Sequence, residues 1–252
     1  MNNALLLVSA RHAVLALLSL LVFAGPAVAA SMRFKAADGA AVYATLSKAP
    51  QDTHAVALLF HQAGANRHEY DSIAPRLNTL GFDTLAVDQR AVGRKFGGDN
   101  ETVARRGASG SYDEAYADLE GALDWAQAQG YDTIVAVGSS YSASLSLQLA
   151  AEHGDALSAV AVFSPGEYFD DTDRVKNAVA DIDIPLYITT DPAEENRVDE
   201  VLERADSAAV VRYKPEDGVH GASTLDPDRD PAGHKANWQS FSAFMTRFVP
   251  GA

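Results

Sequence analysis

Thr133-Ile134-Val135-Ala136-Val137-Gly138-Ser139-Ser140-Tyr141-Ser142 decides the fold, because a β-branched run passes directly into a turn of glycine and serines. A strand that reverses sharply into a helix strains the residue at its apex and exposes that residue's hydroxyl beside the helix N-terminus. Ser140 is that apex. Gly138 stands two before it and Ser142 two after, giving Gly-x-Ser-x-Ser where Gly-x-Ser-x-Gly is usual, which adds one hydroxymethyl group at a crowded point. The flanks agree with such an elbow: residues 133–137 read as a strand, and residues 142–153 as a helix with Leu145 and Leu149 four apart on one face.

The alternation extends outward from there. An opening hairpin is expected over residues 32–37 and 41–46, around the turn dipeptide Asp38-Gly39. Strands follow at 55–60, 82–87, 157–163, 185–189 and 208–213, and helical patterns at 70–80, 112–129, 194–206 and 235–248. Parallel neighbours need crossover connections, so this order predicts an α/β fold: a mainly parallel central sheet with helices on both faces. The run Ala55-Val56-Ala57-Leu58-Leu59-Phe60 is continuously apolar, as a strand buried on both faces requires. The connection 164–184 allows a short helix but no large cap, so a single domain is expected. Residues 89–110, with Gly93, Gly97, Gly98, Gly107 and Gly110, form the longest irregular stretch and are expected to be a mobile wall of the site. In such sheets, ligands bind beyond the carboxyl ends of the strands.

Residues 1–30 read as a signal peptide: Arg11 and His12 precede the apolar run 13–24, Gly25-Pro26 breaks it, and Ala27-Val28-Ala29-Ala30 supplies the small residues of a cleavage site. An apolar run of about twelve residues falls short of the roughly twenty that span a bilayer. Residues 31–252 are then the domain, and a periplasmic or secreted location is expected. The formal net charge of −14 repels polyanions, which argues against a nucleic-acid partner. The chain has no cysteine, which removes a disulfide framework, a thiolate metal site and a cysteine nucleophile together.

A serine nucleophile needs a base, and the base needs a group that fixes its tautomer. Of the seven histidines, His220 follows the last strand in a glycine-flanked loop just before the closing helix, at the correct end of the sheet. The acid should fall between serine and histidine in the chain. Asp191 directly follows the strand ending in Thr189-Thr190 and is the first candidate. Asp191-Pro192-Ala193-Glu194 also reads as a helix start with an aspartate cap and proline next, which leaves Glu194 and Glu195 as alternatives. An oxyanion needs two backbone donors. One is expected from Tyr141, and the other from the loop His61-Gln62-Ala63-Gly64-Ala65-Asn66-Arg67, with Gln62 first and Ala63 next. His61, Ala63 and Arg90 are candidates for lining the substrate, although His61 also suits a loop organiser and Arg90 a partner for the surplus acids.

On Gly138-Ser139-Ser140-Tyr141-Ser142, His61-Gln62-Ala63-Gly64, Asp191 and His220-Gly221, the chain resembles the α/β-hydrolase superfamily over nearly all of residues 31–252. It is similar to the small capless dienelactone hydrolase branch. That resemblance implies a serine acyl-enzyme hydrolase, most simply a carboxylic ester hydrolase acting on small or short-chain esters. Peptidase or acyltransferase chemistry on the same triad, and an inactive binding protein, are its alternatives. Ser142 replaces the second glycine, Gln62 replaces a glycine of the oxyanion loop, and serine replaces the branch's cysteine. The acidic runs Asp226-Pro227-Asp228-Arg229-Asp230 and Asp170-Asp171-Thr172-Asp173 lack the ligand spacing of a calcium loop, and the glycines of 93–110 lack phosphate-loop spacing. No metal or organic cofactor is required, and the sequence does not fix the oligomeric state.

Overall fold

The computed structural model describes residues 29–91, 93–206 and 208–249. The segment read as a signal peptide lies outside them, apart from Ala29 and Ala30 at the start of the first strand.

Among the described residues, eight strands form one sheet: β1 (Ala29–Lys35), β2 (Ala41–Ser47), β3 (Ala55–Phe60), β4 (Asp83–Asp88), β5 (Thr133–Ser139), β6 (Ala159–Phe163), β7 (Leu186–Thr189) and β8 (Val210–Arg212). Their order across the sheet is β1-β2-β4-β3-β5-β6-β7-β8. β1, β2 and β4 pair antiparallel, and every pair from β4 through β3 to β8 is parallel. The expected α/β class, with an antiparallel hairpin at one edge, is the one observed.

The α-helices are α1 (Ala74–Thr79), α2 (Glu101–Arg106), α3 (Tyr112–Ala128), α4 (Tyr141–Glu152), α5 (Arg174–Ala180), α6 (Glu195–Val201) and α7 (His234–Met245). α3 begins with a full capping box, Ser111 accepting from the Glu114 amide while Glu114 accepts from that of Ser111. Strand periodicity then sorts the core into two layers. Val56, Leu58 and Phe60 pack on one face with Leu119 and Leu123 of α3 and Leu145 and Leu149 of α4. Ala57 and Leu59 pack on the other with Leu77 of α1 and Phe241 and Phe244 of α7. Because both faces are covered, the β3 side chains are all buried.

Two segments differ from expectation. The helical pattern at 70–80 divides into a 3-10 turn (Arg67–Tyr70) and α1, since Pro75 suits the first turn of a helix and not its interior. The irregular stretch 89–110 contains α2, capped by the Asn100 side chain at the Val103 amide and closed by Gly107 at φ +78°. α5 is the short helix that the connection after β6 allowed. No helix among the described residues is long and apolar enough to cross a membrane.

Candidate active site

The turn between β5 and α4 holds Ser140 at φ 60°, ψ −124°, a conformation that costs an L-residue about 1–3 kcal/mol and persists only where its surroundings hold it. A Cβ on Gly138 would lie 2.5 Å from the Ser142 carbonyl oxygen, so the turn closes only over glycine. Ser142 fits in place of a second glycine because its hydroxyl is used: it accepts from the Ser139 amide at 3.0 Å and donates to the Phe60 carbonyl at 2.6 Å, tying the elbow to the end of β3.

Ser140 Oγ lies 2.8 Å from His220 Nε2, and His220 Nδ1 lies 2.7 Å from Glu194 Oε2. A carboxylate only accepts, so Nδ1 carries the proton and Nε2 is left to accept from the serine hydroxyl. The acid against the imidazole is therefore Glu194 and not Asp191. Asp191 Oδ1 accepts from the Ala193 amide at 2.8 Å as the N-cap of the 3-10 turn Pro192–Glu194. That capping points its carboxylate along the chain, and the turn it starts brings Glu194 round to His220. Glu195 pairs outward with Arg212 at 2.6 Å. Glu194 is held further by Arg197 at 3.1 Å and by the Thr190 hydroxyl at 3.4 Å.

Ser164, at φ 54°, locks the histidine loop: its hydroxyl accepts from the Gly221 amide at 3.0 Å and lies 3.2 Å from Thr190 Oγ1. The Tyr168 hydroxyl donates to the Ser164 carbonyl at 2.9 Å and faces the Ser140 side chain. Burial, ahead of the neighbouring Glu194 charge, pushes the Tyr168 phenol up, so it stays a neutral donor beside Ser140. Sequence reasoning missed Ser164, Thr190 and Tyr168. The first two carried a signal, as polar residues directly at the carboxyl ends of β6 and β7.

Three expectations for the substrate side need correction. The Gln62 amide is not free for an oxyanion, because it donates to Glu69 Oε2 at 2.7 Å. The next amide, of Ala63, has no acceptor among the described residues, and that of Tyr141 is a first-turn helix amide without an intrahelical partner. His61 is fully buried, with Nδ1 donating to the Gln62 carbonyl at 2.9 Å. Burial pushes its pKa down, so it is a neutral loop organiser out of a substrate's reach. Arg90 is 3% exposed and saturated by Asp118 at 2.9 Å and Asp38 at 3.0 Å. Burial works against its charge, but those hydrogen bonds outweigh it and raise its pKa. Arg90 thus joins the end of β4 to α3 and the β1–β2 turn, with its guanidinium committed to those two carboxylates.

The description "Serine aminopeptidase, S33" belongs to a family model that matches residues 51–226. No curated protein matches the chain in sequence. Among solved structures, the chain is similar to an esterase from Pyrococcus furiosus (19% identity, TM-score 0.69, 88% of this chain and 94% of that one). It is similar also to a dienelactone hydrolase from Anabaena variabilis (18%, 0.63, 88% and 99%). A third is a dienelactone hydrolase-like promiscuous phosphotriesterase from metagenomic libraries (17%, 0.61, 88% and 99%).

Proposed function

The chain belongs to the serine aminopeptidase S33 family and has the α/β-hydrolase fold, and on that premise we propose that it hydrolyses carboxylic esters through an acyl-enzyme on Ser140. The observation that carries this is the continuous hydrogen-bonded line from Ser140 Oγ through His220 to Glu194. Ser140 attacks the acyl carbon while His220 Nε2 takes its proton, and Glu194 stabilises the imidazolium without itself being protonated. The amides of Tyr141 and Ala63 are the donors for the oxyanion. His220 returns the proton to the leaving alcohol. It then activates a water whose attack on the acyl carbon releases the acid and frees Ser140.

An aminopeptidase has to hold a substrate ammonium, which calls for a carboxylate free beside the nucleophile. The two carboxylates bonded to the elbow and its histidine are already engaged: Glu194 by His220 and Arg197, and Glu69 by Gln62 and Ser139. This supports an ester over an amino-terminal peptide. The short connection after β6, carrying only α5, supports small acyl groups. Hydrolysis of p-nitrophenyl acetate, butyrate and octanoate is expected to fall with chain length, with alanine p-nitroanilide turned over at least a hundredfold more slowly than the acetate, on the order of 3 kcal/mol in the barrier. Faster cleavage of the anilide would replace the esterase by the peptidase.

The same proposal places the enzyme outside the cytoplasm, as a periplasmic or secreted protein. The apolar run 13–24, the small residues 27–30 and the absence of cysteine support it. Amino-terminal sequencing of the protein from its native cell is expected to begin near residue 30 or 31, and an intact Met1 would contradict export.

A further inference from the structure

Glu69 is fully buried, carries a carboxylate, and has no part in the mechanism above. It lies in the 3-10 turn Arg67–Tyr70, whose Asn66 caps the His68 amide at 2.9 Å and whose Glu69 carbonyl accepts from Arg229 at 2.7 Å. Its side chain meets three separate loops. Oε2 accepts from the Gln62 amide at 2.7 Å, and Oε1 accepts from Gln62 Nε2 at 2.8 Å, both in the loop of the oxyanion donor Ala63. Oε1 also accepts from Ser139 Oγ at 2.9 Å, one residue before the nucleophile. The Ser223 hydroxyl, in the loop of His220, stands 3.4 Å from the same oxygen. Ser139 closes the circuit, because its hydroxyl accepts from the Ala222 amide at 2.9 Å.

We propose that Glu69 is a positioning residue for ester hydrolysis, its carboxylate locking the oxyanion loop, the elbow and the histidine loop into one arrangement. The inference rests on Ser140 being the nucleophile. A buried charge is tolerated only when hydrogen bonds replace its water, and the donors converging on Glu69 do so. Gln62 supplies two of them and extends the line outward, since its Oε1 accepts from Lys95 Nζ at 2.8 Å. The carboxamide thus lies between a cation at its oxygen and an anion at its nitrogen, the orientation its dipole prefers. Glycine at position 62 would leave one oxygen of Glu69 without that donor, so the glutamine in the oxyanion loop and the buried glutamate form a matched pair. Ser139 has the same logic, because an apolar residue there would strip a donor from Glu69 and an acceptor from Ala222. Little slack remains at Gly221, at φ +76°, where an added Cβ would lie 2.4 Å from Ser139 Oγ.

Positioning acts on the transition state more than on the bound substrate, because amides that miss the oxyanion by a fraction of an ångström still admit the ester. Glu69→Gln keeps the shape and removes the charge. With p-nitrophenyl acetate it is expected to lower kcat and kcat/KM together by about ten- to a hundredfold while KM stays within about threefold, with phosphonylation of Ser140 slowed in step. A folded Glu69→Gln with kcat within twofold of the wild type would overturn the proposal. Should Glu69→Gln lose its native circular dichroism, Ser139→Ala decides: a fall in kcat at unchanged KM supports the circuit, and unchanged kcat overturns it. Both variants are read against an active wild type. A wild type that neither turns over esters nor takes phosphonate would instead refute the hydrolase reading.

Discussion

Replacing Ser140 by alanine is expected to lower kcat/KM for p-nitrophenyl acetate by about 10⁴-fold or more, and His220→Ala by a similar factor, because members of one proton-transfer line fail as a unit. What remains comes from the oxyanion amides and from substrate binding, which neither change touches. Stability is expected to respond differently. Ser140 holds φ 60°, a region that glycine enters without penalty. Ser140→Gly should therefore match or exceed the wild type in unfolding free energy, by about 1 kcal/mol at most, while losing activity as fully as Ser140→Ala. That outcome is the one expected if strain at the apex is retained to expose the Ser140 hydroxyl. A Ser140→Gly protein that is inactive and clearly less stable would refute that account of the elbow.

The second large effect separates two carboxylates three residues apart. Glu194→Gln keeps the side chain's size but removes the charge that favours imidazolium and offers Nδ1 an amide donor that selects the wrong tautomer. It is expected to cost about 10³- to 10⁴-fold in kcat. Asp191→Ala is expected to leave kcat within about threefold and to cost roughly 1 kcal/mol of stability, as loss of an N-cap does. Parallel pH-rate profiles and urea midpoints for the two variants provide the check. A large activity loss in Asp191→Ala with Glu194→Gln near wild type would reverse the assignment.

The central sheet was legible because its strands are buried on both faces and read as unbroken apolar runs; β3 falls on its expected residues, and the others shift by one to three at their ends. The elbow was legible for a local reason too, since Gly138, Ser140 and the flanking strand and helix lie within twenty residues. The acid was not. Asp191-Pro192-Ala193-Glu194 contains both a cap and an acid, and only the turn that the cap starts decides which carboxylate reaches His220. The oxyanion loop failed similarly: Gln62 looks like a donor beside small residues, and its amide is claimed by Glu69 seven positions on. Arg90 suited either a substrate anion or the surplus acids, and the choice was not legible because its partners Asp38 and Asp118 come from β-hairpin and helix segments far along the chain. α2 was recoverable, since Asn100 and Gly107 are its cap and stop, but the surrounding glycines obscured it.

Ser140 as the nucleophile is tested most directly by treating the protein with a serine-reactive fluorophosphonate and mapping the adduct by peptide mass spectrometry. The expected result is one equivalent of label on Ser140, slowed strongly by His220→Ala and by Glu194→Gln and little by Asp191→Ala. No adduct, or an adduct on another of the elbow's serines, Ser139 or Ser142, would contradict the account.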